Sequence, residues 1–189
     1  MSENPNITEF EKNQFRVLHF GGEPKAVQSF RFAQCGRYMR KFQPKEVTDW
    51  KTYIKVMAMQ QLGANFTPLA TKDDECIELR VVFSFPLRKS ETKRTQAYVA
   101  AGGRIMHNRK PDVTDNLMKG LSDALTGILW SDDAKVCMVC SMKVDGGNPA
   151  IDLSVRVRPA RMDKLDIADF LQGGYGAVRW NVPVCGTGE

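Results

Sequence analysis

Hydrophobic residues along this chain recur at two spacings, and each spacing predicts its own kind of element. Ile77, Leu79, Val81 and Phe83 alternate across residues 76–85 with Pro86 closing the run, the pattern of a strand. A shorter strand is expected over 15–20. After Pro44, the residues Val47, Trp50, Ile54 and Met57 share one face of a helix that should end near Gly63. Leu117, Leu121, Ala124, Leu125 and Ile128 repeat at three-and-four spacing, so a second helix should begin near 112–115 and stop near Thr126 and Gly127. The residue before Pro111 should be extended, because proline pushes its predecessor out of the helical region. Trp130-Ser131-Asp132-Asp133 then reads as a turn leading into a strand over 134–144. Another strand is expected over 151–157, and Asp145-Gly146-Gly147-Asn148-Pro149 between the two is a hairpin signal. A short helix is a candidate over 164–171. Strands arranged around two main helices predict an α+β fold, a single compact domain with a mixed or antiparallel sheet.

Composition limits the organisation. A chain of 189 residues with 42% hydrophobic content suffices for one core. Residues 1–14 are polar and expected to be disordered, 15–159 form the domain, and 160–189 are a tail with no assigned role. No internal repeat is visible. No apolar run approaches the roughly 18–20 residues of a membrane span, and the polar beginning lacks secretory features, so a soluble intracellular protein is expected. The cysteines Cys35, Cys76, Cys137, Cys140 and Cys185 are odd in number and scattered, which suits a reducing compartment. Cys137 and Cys140 have no second ligand pair for zinc and are read as core or sheet-face thiols.

Charge changes the picture. The formal net charge is +5, yet Asp112, Asp115, Asp123, Asp132 and Asp133 all fall within residues 110–136. Carboxylates concentrated on a basic protein suit a hard divalent cation that must sit beside a polyanion. Asp115 and Lys119, four apart on the predicted helix, are equally an ordinary ion pair worth about 0.2–0.5 kcal/mol, and Asp112 an N-cap. In the functional reading Asp112, Asp115 and one of Asp132 or Asp133 bind magnesium, while Lys119 neutralises charge on a phosphate. Carboxylates at the helix start and the strand start are expected to meet.

The string Lys-Pro-Asp-x-x-Asp-Asn-Leu-x-Lys, then Asp-Ala-Leu-x-Gly, then Trp-x-Asp-Asp-Ala-x-Val resembles the core signature of the RusA family of Holliday junction resolvases. Gly22-Glu23-Pro24-Lys25-Ala26 is similar to the family's Gly-x-Pro-x-Ala opening. The resemblance implies a homodimeric, magnesium-dependent endonuclease of bacterial or phage-infected cytoplasm, with manganese as a substitute ion. It places the catalytic aspartates on Asp112, Asp115 and Asp133, all three as metal ligands, and the essential lysine on Lys119. The family usually has one residue between its first two aspartates. Here there are two, Val113 and Thr114.

Basic residues supply the remaining candidates. Arg37, Arg40, Lys41 and Lys45 are interleaved with Tyr38 and Phe42, as in a phosphate-tracking surface with stacking capacity, or a solvated positive face. The polar stretch 87–110, with Arg88, Lys89, Arg109 and Lys110, is expected to be a long loop that clamps DNA and orders on binding. With Lys25 and Arg31, matched to the family's opening, these complete the DNA-binding set. His107 is read as a phosphate contact or a satisfied structural histidine. The expected partner is branched DNA, a four-way junction cut by paired nicks during recombination or repair. The alternatives are a structure-specific nuclease for other branched DNA and a non-catalytic junction-binding protein.

Overall fold

The chain orders its elements as β1 (Arg16–Gly21), β2 (Arg31–Cys35), β3 (Tyr38–Phe42), α1 (Lys45–Leu62), β4 (Glu75–Phe85), α2 (Lys93–Ala100) and β5 (Ile105–Met106). A π-helical turn (Val113–Met118), α3 (Lys119–Leu125), a 3-10 turn (Asp133–Lys135), β6 (Val136–Asp145) and β7 (Ala150–Pro159) follow. These come from a computed structural model that describes residues 14–27, 31–161 and 167. The helix expected over 164–171 lies outside the described residues, apart from Ile167.

Five strands form one mixed sheet in the order β1-β7-β4-β6-β5, with β4 and β6 parallel and every other neighbouring pair antiparallel. Alternation along β4 puts Ile77, Leu79, Val81 and Phe83 on one face, all fully buried. Trp50, Ile54 and Ala58 of α1 and Leu121, Ala124 and Leu125 of α3 pack into the same core. Each fully buried leucine or isoleucine contributes about 2 kcal/mol. The α1 and α3 helices also touch one another, and Gly120 is where they close up: a Cβ there would collide with Val27 and crowd the Trp50 ring.

The opposite sheet face carries charge. Glu78 is buried and accepts from Arg80 (2.8 and 2.6 Å), Arg156 (2.8 and 2.7 Å) and Arg158 (3.3 Å). Burial pushes the Glu78 carboxyl up, but hydrogen bonds from Arg156 and Arg80 outweigh it and hold the group below its ordinary value. Phe15 packs against the guanidinium groups of both Arg80 and Arg156.

Two expectations are corrected. The strands β6 and β7 do not form a hairpin, because β4 lies between them. The Asp145–Pro149 turn crosses the end of β4, and the Gly146 amide donates to Phe85 O (2.8–3.2 Å being usual, 3.0 Å here). Residues 87–110 are not one long loop but contain α2 and β5. The α2 helix is capped by Thr92, whose hydroxyl accepts from Thr95 N at 3.2 Å, and it buries no residue, so no apolar stripe announced it. Residues 31–42 form a β2–β3 hairpin turning at Gly36, a second sheet that was not foreseen. Among the described residues there are three α-helices, of which α1 and α3 are the two packed on the sheet. Among the described residues, no helix is long and apolar enough to cross a membrane.

Candidate active site

The helix expected from about 112 to 126 exists, but its first turn is wide. Leu117 N donates to Asp112 O at 3.2 Å, and Lys119 N donates to Thr114 O, both five residues back. A single π-helical turn accommodates one extra residue in a helix. It falls on the stretch where this sequence has two residues between Asp112 and Asp115. From Lys119 onward α3 continues in regular geometry. Asp112 stands at the extended N-cap position, and its Oδ2 accepts from Asn116 Nδ2 at 3.3 Å.

The chain leading to Asp112 is held by its backbone carbonyls. Lys143 Nζ donates to Arg109 O (2.5 Å) and Pro111 O (2.6 Å). The two His107 ring nitrogens bridge a carbonyl and a carboxylate, Nε2 lying 3.1 Å from Lys110 O and Nδ1 2.7 Å from Asp145 Oδ1. Arg109 donates to the same Asp145 oxygen at 3.1 Å, and the His107 ring stacks on Phe85 with centroids 4.3 Å apart. The Lys110–Pro111 peptide bond is cis. Three successive carbonyls are thus capped from two residues, and Lys143 and Asp145 reach this segment from one face of β6 because they are two positions apart. His107 is a buried structural histidine, the second of the two roles expected for it.

Asp115, Lys119 and Asp133 are exposed, and among the described residues none makes a side-chain ion pair or hydrogen bond. The ion pair considered between Asp115 and Lys119 is not formed; Asp123, not Asp115, is the helix carboxylate with a lysine partner, Lys51 at 2.8 Å. Asp132 caps the 3-10 turn by accepting from Ala134 N at 2.9 Å, which leaves Asp133 the uncommitted member of the pair. Unengaged carboxylate oxygens are the hard donors a divalent cation takes.

The expected meeting of helix start and strand start does not occur within one chain. Residues 113–125 lie between them as helix, and at about 1.5 Å per residue that is roughly 20 Å. The π-helical turn packs beside β6, while the 3-10 turn carrying Asp133 contacts β4. No three His, Cys, Asp or Glu side chains among the described residues are grouped to hold a metal ion.

The basic candidates surround this region unevenly. Lys25, Arg37, Arg40, Arg88, Lys89 and Lys110 are exposed. Arg31 and Lys41 take paired positions in the β2–β3 hairpin, Arg31 opposite Phe42 and Lys41 opposite Phe32. Arg109 is engaged with Asp145. The hairpin also exposes Phe32, Tyr38, Met39 and Phe42. Sequence reasoning missed the Lys143 and Asp145 supports; their signal was two charged residues two apart in an otherwise apolar strand.

A family model described as Endodeoxyribonuclease RusA matches residues 21–156, well over half the chain and all of the stretch from Asp112 to Asp133. The chain belongs to the RusA endodeoxyribonuclease family. It is therefore a hydrolase of DNA phosphodiester bonds, and its mixed sheet with helices on one face is the fold in which the family signature is set. No curated protein matches the chain. In this RusA-family nuclease Asp112 stands at the N-cap of the π-helical turn, Asp115 lies within that turn, Lys119 opens α3, and Asp133 opens the 3-10 turn before β6.

Proposed function

We propose that this RusA-family nuclease cuts four-way DNA junctions by a magnesium-dependent hydrolysis, with Asp112, Asp115 and Asp133 as metal ligands and Lys119 beside the scissile phosphate. The observation that carries the reading is that Asp115, Asp133 and Lys119 are exposed and unengaged on an otherwise basic chain. Surface carboxylates left without an internal cation suit a ligand from outside, and oxygen-only donors suit magnesium, or manganese in its place. When bound, the ion lowers the pKa of a coordinated water and stabilises the departing oxygen.

The protein's own part is positioning and electrostatics. Lys143 and His107 fix the carbonyls that lead into Asp112, so its carboxylate is presented from a braced segment. Lys119, with no side-chain acceptor among the described residues, keeps its ammonium for the charge that grows on the phosphate. Lys25, Arg37, Arg40, Lys41, Arg88, Lys89 and Lys110 supply phosphate contacts, which makes binding steeply salt-dependent. The exposed aromatics of the β2–β3 hairpin offer stacking to bases opened at a branch point. Recombination or repair in the cytoplasm is the setting such a substrate implies.

Cleavage of a labelled fixed-core four-way junction is compared with flaps, forks and linear duplex of the same sequence, in magnesium and in chelator. Preferential, magnesium-dependent paired nicking of the junction supports the reading. Preference for flaps or forks would replace it with a nuclease for other branches, and tight binding without nicks would replace it with a binding protein.

A further inference from the structure

A cavity of about 490 Å³ opens between the foot of the β2–β3 hairpin, the segment that precedes it and the start of α1. That size lies inside the roughly 300–1,000 Å³ of small-ligand sites. Its floor is apolar, from Ala26, Pro44 and Val47, and Phe42 supplies an aromatic wall. Lys25 and Lys45 stand exposed at the rim, and among the described residues neither has an ion pair. Glu46, the one carboxylate among the described lining residues, is in the first turn of α1, where it complements the helix dipole. An aromatic wall, an apolar floor and two ammonium groups match a nucleotide, a flat base with its phosphate. No Asp or Glu occurs from Pro24 to Lys45, against six lysines and arginines, so the stretch of chain that brackets the cavity is purely cationic.

The cavity adjoins the candidate metal site. One residue past Ala26, Val27 N donates to Asn116 O at 3.2 Å, inside the π-helical turn, and Asn116 Nδ2 donates in turn to Asp112 Oδ2 at 3.3 Å. Val27 also packs on Gly120, next to Lys119. Two residues of chain, about 7 Å at most, separate Lys25 from Val27. A strand whose scissile phosphate lies at Lys119 therefore has a neighbouring nucleotide at the cavity.

We propose that this cavity takes one nucleotide turned out of the stack beside the cut, its base against Phe42 and its phosphate between Lys25 and Lys45, and that this capture favours branched DNA. The proposal rests on the nuclease reading above and names the part of the substrate that the protein selects. Turning a base out of a duplex costs stacking and pairing, and the cost is least where pairs are already open, as at a branch point. Linear and branched DNA present the same phosphates; the branch adds a base that is easily released. The other aromatic face of the hairpin is separate from this site. Phe42 is opposite Arg31 in the register, so Phe32, one residue further along β2, belongs to the opposite face.

The test uses the full chain in chelator, where nothing is cut. Four-way junctions carry a single 2-aminopurine, placed in turn at successive nucleotides next to the branch point, and each is compared with the free junction and with linear duplex of the same sequence. A separate anisotropy titration establishes saturation for every protein. With wild type, fluorescence should rise about twofold or more at one position in the junction and at none in the duplex, as it does for an unstacked base. Phe32→Ala should keep that rise, and Phe42→Ala, folded by circular dichroism, should lose it. If Phe42→Ala does not fold, Lys25→Glu takes its place, since Lys25 is exposed and its reversal spares the core; it too should lose the rise.

A saturated junction with no rise at any position overturns the cavity's role and leaves the nuclease reading standing. A rise that survives both Phe42→Ala and Lys25→Glu does the same, and a rise as large in linear duplex overturns the selectivity. A rise on forks or flaps without binding to four-way junctions supports the cavity and contradicts the four-way substrate instead. Wild type that binds no branched DNA overturns both.

Discussion

Lys143 joins β6 to the aspartate-bearing segment: its ammonium donates to Pro111 O at 2.6 Å, one residue before Asp112. The same ammonium holds Arg109 O at 2.5 Å. Lys143→Met should keep the bulk of the side chain and lose both bonds, costing about 1–3 kcal/mol of stability. Asp112 would then be less well placed, and nicking should fall about 10–100-fold, as misplacement of a reacting group does. Junction binding should change little, because Lys143 is turned inward. Nicking rates beside a binding titration check this, and a parallel loss of both would contradict it.

Among the described residues Lys119 has no side-chain partner. Lys119→Met should leave the unfolding free energy within about 0.5 kcal/mol of wild type while reducing nicking by about 100-fold or more, the scale of losing one charge-stabilising group. Denaturant midpoints and single-turnover rates distinguish these effects. Full activity in the variant would remove Lys119 from the mechanism.

The π-helical turn is where the additional residue between Asp112 and Asp115 is absorbed. Deleting Thr114 should therefore convert that turn to ordinary helix without disturbing α3, with a stability change under about 1 kcal/mol. Nicking should stay within about tenfold of wild type. Failure of the deletion variant to fold would show that the wide turn supports more than the extra residue.

Glu78 offers a check on the helix-free face. Its folded carboxyl is held below the ordinary value, so its contribution to stability is complete above the unfolded value of about 4.3 and is lost as pH falls through the folded one. Glu78→Gln should cost about 3 kcal/mol near pH 7, since it leaves the buried Arg80 and its neighbours uncompensated. In urea titrations the gap between wild type and variant should narrow on acidification toward pH 3. A gap that stays constant would contradict the role given to the Arg cluster.

Much of this was legible in the residues because the pattern and the packing agree. Val47, Trp50 and Ile54 share one helical face and are buried on it, and Ile77 to Phe83 alternate as the central strand must. What escaped depended on contacts between distant positions. Periodicity cannot say that β4 separates β6 from β7, since both orders satisfy the same runs and the same glycine turn. The α2 helix rests on a Thr92 cap and buries nothing, so no stripe marked it. The site was legible in residue type and not in arrangement. Asp112, Asp115, Lys119 and Asp133 are exposed, but among the described residues no three carboxylates are grouped to hold a metal ion, which spacing alone does not reveal. The support from His107 and Lys143 acts on backbone carbonyls, and its one trace in the sequence is the pair of charges, Lys143 and Asp145, two apart at the end of an apolar strand.

The most direct measurement is the nicking of a labelled four-way junction by wild type, Asp115→Asn and Asp133→Asn in magnesium, with junction binding measured for each in chelator. The account expects wild type to cut, both variants to lose cutting by about 100-fold or more, and all three to bind alike, because each substitution removes a metal ligand and no phosphate contact. Undiminished cutting by Asp115→Asn and Asp133→Asn would contradict it.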